Sequence, residues 1–498
     1  MSASLALSIL IGYFLILVLI SIRTSKGADT NSFFTANKSV PWYIVAFGMV
    51  GTSISGVTFV SVPGMVGAFS NEAAGQLKEF SYFQMVLGFM VGYFFIATVL
   101  MPIYYRLNLI SIYSYLDKRF GKYSYKTGSA FFLLSRTLGS AVRLYVAAMV
   151  LQIAIYDPLG VPFWLSVLIT IALIWVYTFK GGIQTIVLTD TLQSTFLIAA
   201  VALTVWLVSK ELGLGIGEMV DTIKTSNYSG IFFFDGGWSD SRNFFKQFVS
   251  GAFIAIVMTG LDQDLMQKNL TCKNIGEAKK NMLWFTVVLV FVNLLFLSLG
   301  ALLYIYANEN GLSIPLKSDD LYPTLALQHF GQMELGTGGV IVAITFLLGI
   351  TAATYASSDS ALTALTTAFC IDFLDFDKKE EVERNKLKNR THIGFSLLFF
   401  VVIMIFHALN SKDLISAIYA IASYTYGPLL GLFAYGIYTK REVKDKWVPI
   451  VCVLSPILTF AAVWVIETYV GYKFGFENLL LNGLITIIGL MILRKAKV

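Results

Sequence analysis

The chain has 498 residues, of which 56% are apolar and only 13% charged, with a mean hydropathy of +0.73. Soluble globular chains carry about 25% charged residues, so this balance excludes a soluble enzyme, a disulfide-built secreted scaffold and a disordered chain. The net charge of +6 matters less than where the positive residues fall relative to the apolar runs.

A bilayer core about 30 Å thick takes roughly 20 apolar residues in a helix. Runs of that kind lie near 5–22, 41–67, 80–104, 127–155, 161–179, 185–208, 244–266, 281–306, 335–370, 392–409, 413–438, 447–466 and 476–493. The sequence therefore predicts an all-α membrane protein with about thirteen transmembrane helices. The first run lacks a basic leader and a small-residue cleavage site, which marks a retained helix and not a signal peptide. An odd number of spans puts the termini on opposite sides. With the N-terminus outside, twenty-six Lys and Arg fall in inner connections and eight in outer ones, so the positive-inside rule sets the N-terminus out and the C-terminus in. The same topology explains the basic clusters without a nucleic-acid partner. The three cysteines and three histidines form no disulfide framework or ligand pair.

In chain order, the second run, AFGMVGTSISGVTFVSVPGMVG, mixes glycines, a proline, Thr52, Ser53, Ser55 and Thr58 and makes a poor uniform helix. Unwound backbone at membrane depth is tolerated only where it lines a cavity or is buried in protein. Gln84 is a lone amide in the third run. Arg136 and Arg143, seven apart on one face of the fourth, need carboxylates, carbonyls or an anionic ligand, because Arg stays charged. Asp190 opens the sixth run, and the aromatic, Gly-rich connection 209–243 is expected to cap the mouth. The seventh run, FVSGAFIAIVMTGLDQDLMQ, is again interrupted. Two interrupted helices at matching positions of two five-helix halves point to the binding site of a secondary transporter. The ninth run, GITAATYASSDSALTALTT, sets Ala356, Asp359, Ser360 and Thr363 on one face. An intramembrane carboxylate among hydroxyls suits a small hard cation such as Na⁺, and Asp190 and Asp359 could face one such ion, since neither would stay ionised beside the other without a cation or proton. Residues 372–390 form a charged inner loop.

GGIQTIVLTDTLQ (181–193), DQDLMQKNL (262–270), the Ser-rich ninth run and SYTYGPLLGLFAYGIYTKR (423–441) together resemble the sodium/solute symporter family, which includes sodium/glucose, sodium/proline and sodium/sialic acid cotransporters. The resemblance covers essentially the whole chain. It implies a leucine-transporter-type five-plus-five inverted repeat in one domain: an extra helix over 1–25, repeat halves over 40–208 and 244–440, and two C-terminal helices over 445–498. It implies a main Na⁺ site at Gly51, Ile54, Ala353, Ala356 and Ser357, where Ala356 departs from the family by lacking a hydroxyl. It implies a second ion site at Asp190, Asp359 and Ser360, with Asp359 replacing a serine. Substrate contacts are expected at Ser53, Ser55, Thr58, Gln84, Arg136 and Arg143. Sugar-transporting members carry an aromatic gate where this chain has Met258.

The sequence thus predicts Na⁺-coupled symport, with one or two Na⁺, of a small polar, carboxylated solute such as an acidic sugar. A Na⁺/sugar or Na⁺/amino-acid symporter, or an H⁺-coupled carrier using Asp190 and Asp359, is the alternative. No catalytic dyad at depth suggests an enzyme. The chain is expected to act as a monomer in the lipid bilayer of a bacterial inner membrane.

Overall fold

The computed structural model describes residues 3–25, 30–71, 75–178, 182–330, 336–409 and 414–495. Gly181 of the GG segment and the expected span ends at 335 and 413 lie outside them. Among the described residues eight helices are long and apolar enough to cross a membrane, or ten if each of two bent pairs is one span, and the other apolar runs fall on shorter or partly described helices. In chain order the helices are α1 (Ala3–Thr24), α2 (Trp42–Ser53), α3 (Gly56–Met65), α4 (Tyr82–Arg106), α5 (Lys122–Leu159), α6 (Phe163–Thr178), α7 (Gly182–Glu211), α8 (Phe244–Gly260) and α9 (Gln263–Asn269). They continue with α10 (Ile275–Glu309), α11 (Gly336–Phe373), α12 (Glu381–Leu409), α13 (Leu414–Tyr438), α14 (Val448–Val470) and α15 (Asn478–Ile492). A two-stranded ribbon, β1 (Phe69–Asn71) with β2 (Gln76–Leu77), pairs Phe69 with Leu77.

Two helix pairs, α2/α3 and α8/α9, are broken in the middle and bent by 65° and 70°. The first break follows from its residues. Ile54 leaves helical geometry at φ −91, ψ 93, and Ser55 restarts the helix by accepting the Thr58 N–H on its hydroxyl. The second break occurs at Leu261 and Asp262, whose carboxylate caps α9 by accepting the Asp264 N–H at 2.8 Å. The end of α3 (Met65) and the start of α8 (Lys246) both line the mouth of one cavity. The two broken spans therefore run in opposite directions, as an inverted repeat requires.

Small residues set the spacing around them. A Cβ on Gly88 of α4 would lie 2.1 Å from the Phe248 carbonyl oxygen, and one on Gly251 of α8 would lie 2.2 Å from that of Met85. Close backbone contact of this kind is how helices associate where lipid removes the hydrophobic drive. The long helix α11 is buried along most of its length, polar positions included. It packs beside α7 and α2, so the Ser-rich ninth run faces protein and not lipid.

Candidate ion and solute site

Between the broken helices lies a cavity of about 560 Å³. Its lining includes Ser53, Ser55 and Thr58 from the first break, Arg136 and Arg143 from α5, and Met258 from α8. Five expected solute contacts thus share one chamber. The cavity opens past Lys78, Ser239, Lys246 and Lys473, where Lys246 pairs with Glu477 at 3.0 Å and donates to the Lys473 carbonyl at 3.1 Å.

Gln84 departs from expectation. It is fully buried, and its amide donates to the Arg242 carbonyl at 2.7 Å and accepts the Phe233 N–H at 3.1 Å. Both ends of the amide are used to fasten α4 to the capping connection, and Gln84 does not reach the cavity. Sequence reasoning could not see these partners, which lie about 150 residues away.

The first break provides oxygen atoms without charge. A helix that stops at Ser53 leaves its last carbonyls, Gly51 included, without intrahelical donors. The Gly51 N–H donates to Ser194 at 2.8 Å, and a Cβ on Gly56 would lie 2.3 Å from the Thr354 hydroxyl. The break is therefore held against α7 at Ser194 and against α11 at Thr354, and Ala353, Ala356 and Ser357 of α11 are all buried. The Ser357 hydroxyl donates to the Thr354 carbonyl at 3.0 Å and keeps its lone pairs. Carbonyls and a hydroxyl at the junction of a broken helix and a straight one make a neutral, oxygen-only setting that suits Na⁺.

Asp190 and Asp359 are fully buried and flank Ser360. One Asp190 oxygen accepts the Thr52 hydroxyl at 2.9 Å, the Ser360 hydroxyl at 3.3 Å and the ammonium of Lys268. Asp359 accepts the Tyr177 hydroxyl at 2.7 Å and the N–H of Ser360. The cation that the sequence puts between these carboxylates is thus, at Asp190, a lysine of the chain itself. Lys268 is 1% exposed, although its position after the seventh run reads as part of an inner connection.

Arg136 is likewise engaged. Its guanidinium bonds to Asp264 and lies 3.7 Å from Asp262, which also accepts the Tyr426 hydroxyl. Around it, Tyr104 and Tyr113 donate to the carbonyls of Gly260 and Leu261 at 2.8 and 2.9 Å, and Gln263 bonds the backbone of Ile110 and Ile112. This end of the cavity is closed by charge pairs and backbone hydrogen bonds, whereas the opposite end is open. Asp262, Asp264, Lys268 and Tyr426 lie inside the motifs at 262–270 and 423–441, but neither motif shows which partner each takes, and Tyr177 carries no sequence signal. The spacing of Asp264 and Lys268, four apart in α9, was the available signal that a charged helical turn lies inside the protein.

The model of the sodium:solute symporter family matches residues 33–445. The sodium/sialic acid symporter NanT of Aliivibrio fischeri is 26% identical over 475 residues, covering 94% of this chain and 88% of that protein. Sodium-coupled monocarboxylate transporter 2 of Danio rerio is 24% identical, covering 84% of this chain and 65% of its own length. A solved structure of a Na⁺-coupled sialic acid symporter, substrate-bound and outward-open, aligns with a TM-score of 0.81 at 20% identity over 98% of this chain and 97% of that one. The chain belongs to the sodium:solute symporter family and is a Na⁺-coupled multi-pass membrane transporter of a small-molecule solute, not an enzyme.

Proposed function

We propose that this symporter carries a small organic anion, with an acidic sugar such as sialic acid as the leading substrate. The observation that supports this is a guanidinium, that of Arg143, in the lining of the chamber beside a row of hydroxyls. Arg136 pairs with Asp262 and Asp264, and Arg143 lines the same chamber about two helical turns further along the same face, beside Ser53, Ser55 and Thr58. A guanidinium presents a planar fork that matches a carboxylate, and hydroxyls suit a polyhydroxylated body. Met258, in place of an aromatic gate, argues against stacking of a neutral sugar. Sialic acids and monocarboxylates, which the relatives' names give as their solutes, share that carboxylate.

Na⁺ binds at the carbonyls of Gly51, Ile54 and Ala353 with the Ser357 hydroxyl, tying the first broken helix to α11. The open end of the cavity faces outward, the chain crosses the bilayer thirteen times with its N-terminus out, and residues 40–208 and 244–440 are the two halves that rock against each other. Na⁺ and solute then favour the same conformation, and each raises the other's affinity by the same factor. An inside-negative potential adds about 2.3 kcal/mol per charge per 100 mV. A bacterial inner membrane and a monomeric working unit fit this reading.

Thermal unfolding of the detergent-purified protein tests it, in Na⁺ against K⁺, with N-acetylneuraminate, lactate, neutral hexoses and amino acids. A ligand of the folded state raises the midpoint by mass action. Stabilisation by an anionic solute only in Na⁺ is expected. Stabilisation by a neutral hexose and by no anion would overturn the choice of solute.

A further inference from the structure

The charged side chains that line the cavity are Lys78, Arg136, Arg143, Lys246 and Lys473, against Glu477 alone. Arg136 pairs with Asp262 and Asp264 at the closed end, and Lys246 pairs with Glu477 at 3.0 Å. The carboxylates of Asp240 and Glu79 both lie on Arg242, at 3.0 and 3.6 Å. Lys78 and Lys473 differ. Among the described residues neither ammonium has a hydrogen-bond or ion-pair partner, although the backbone of each is pinned. The Lys78 N–H donates to the Ala68 carbonyl at 2.8 Å, beside the two-stranded ribbon. The connection 471–477 between α14 and α15 is fixed by Lys246 at the start of α8. This one buried ammonium bonds the Lys473 carbonyl at 3.1 Å, pairs with Glu477 and lies 4.7 Å from the centre of the Tyr472 ring. The next N–H, that of Phe474, donates to Glu467 at 3.2 Å. A buried charge thus holds this connection over the chamber and leaves the Lys473 ammonium at its rim.

We infer that Lys78 and Lys473 form an entry filter that admits anions ahead of neutral and cationic solutes, and that the connection between the two C-terminal helices is part of the solute path. An anion crossing the rim meets two uncompensated positive charges before it reaches Arg143 and the hydroxyls of the first break. Clefts lined by one sign of charge between low-dielectric walls focus the field inward and raise the on-rate of opposite charges. Each ammonium acts over about 8 Å at physiological ionic strength, so the filter works on encounter and fades with salt. The match to the family model ends at residue 445, so Lys473 stands outside the part of the chain that the model describes. The inference rests on the reading of the solute as an anion, but the charge of the mouth is measurable without any solute.

The experiment introduces one thiol in purified full-length protein, by Met258→Cys in the chamber or Met65→Cys at its mouth. The three native cysteines are buried, and their background is read on protein without the added thiol. Two methanethiosulfonates of similar size, one bearing a sulfonate and one a trimethylammonium, modify the thiol, and the ratio of their rates is divided by that for a free thiol. Lys78→Gln/Lys473→Gln is expected to lower this anion-to-cation ratio about 10-fold at low ionic strength. The difference should be lost in about 1 M salt, where the screening length is about 3 Å. Lys78→Arg/Lys473→Arg keeps both charges and is expected to keep the ratio, a rescue that loss of packing would not give. Should the double Gln variant not fold, Lys473→Gln alone is expected to lower the ratio about 3-fold. An unchanged ratio at both thiols in a folded Gln variant, or an equal fall in the Arg variant, would overturn the inference. With N-acetylneuraminate, the association rate is expected to fall in the Gln variant while that of a neutral hexose does not. A mouth that prefers the sulfonate in a protein that binds no anionic solute would strike at the proposed solute and not at the filter, so the two failures are distinguishable.

Discussion

The first broken helix turns through 65° at Ile54 and Ser55 and carries no charged residue from Trp42 to Met65. The second turns through 70° at Leu261 and Asp262 and carries Asp262, Asp264 and Lys268 within eight residues of its bend. At the first, hydroxyls and helix-end carbonyls face a cavity and a neighbouring helix. At the second, every charge is consumed by another part of the protein: Arg136 by Asp262 and Asp264, Lys268 by Asp190. Similar bends thus serve opposite ends. A neutral break turns its oxygens to a cavity, and a charged break spends its groups on ion pairs within the protein.

The largest effect is expected where the charged break is unbalanced. Arg136→Leu leaves two buried carboxylates without their counter-ion, and removing one partner of a buried pair costs about 3–5 kcal/mol. The expected outcome is a large fall in the unfolding midpoint and no uptake. Neutralising the whole group, as Arg136→Met with Asp262→Asn and Asp264→Asn, is expected to recover most of the stability, because no charge is then stranded. Equal loss in the single and the triple variant would show that Arg136 acts through packing and not through charge.

The neutral break is expected to respond through ions. Ser357→Ala removes one hydroxyl from the Gly51, Ile54 and Ala353 carbonyls; hydrogen bonds and contacts to charged species are worth about 1.5–3 kcal/mol. Na⁺ affinity should therefore fall about 10- to 100-fold, read from a Na⁺ titration of thermal stability, with little change in the stability of the protein in K⁺. A variant equally unstable in K⁺ and Na⁺ would instead assign Ser357 to packing, through its bond to the Thr354 carbonyl.

Both breaks were legible in the sequence, because glycine and proline among hydroxyls, and a second interruption five spans later, conflict with a uniform membrane helix. The burial of Asp190, Asp359 and Ser360 was legible too, since a carboxylate inside an apolar run has few other places to go. What remained hidden was which partner each charge takes. Lys268 and Asp190 are 78 residues apart, and a lysine just past an apolar run reads as solvated until the 70° bend turns α9 back into the protein. Gln84 misled for the same reason: an amide at depth signals a need for partners, but not that they belong to a cap contributed by residues 233 and 242.

A middle-sized effect separates the two arginines. Arg143→Gln is expected to weaken an anionic solute by about 2 kcal/mol, roughly 30-fold, the lower end for truncating a buried charge contact because Arg143 is only half-buried. Na⁺ binding without solute should be unchanged, and a solute whose carboxylate is converted to an amide should bind the variant and wild type alike. A loss of equal size for the amide would remove Arg143 from carboxylate recognition.

The smallest effect lies at the open end, where the cap over the mouth holds its own charge pair. Burial alone would raise the Asp240 carboxyl, but hydrogen bonds from the Arg242 side chain and backbone outweigh it and hold the group below its usual value of 3.8. A carboxylate depressed in the folded state stabilises above its unfolded value and loses that contribution as pH falls through the folded one. Asp240→Asn should therefore lower the unfolding midpoint slightly at pH 7, and the difference from wild type should begin to shrink near pH 3.8 and vanish once the pH has passed below the folded value. The pair is at the rim and partly solvated, so added salt should shrink the difference as well. The buried pairs at the charged break should be far less sensitive to salt, because little solvent or counter-ion reaches them. If salt weakened the Arg136 and Asp240 contributions equally, water would have access to both ends, and the asymmetry between an open mouth and a sealed base would not hold.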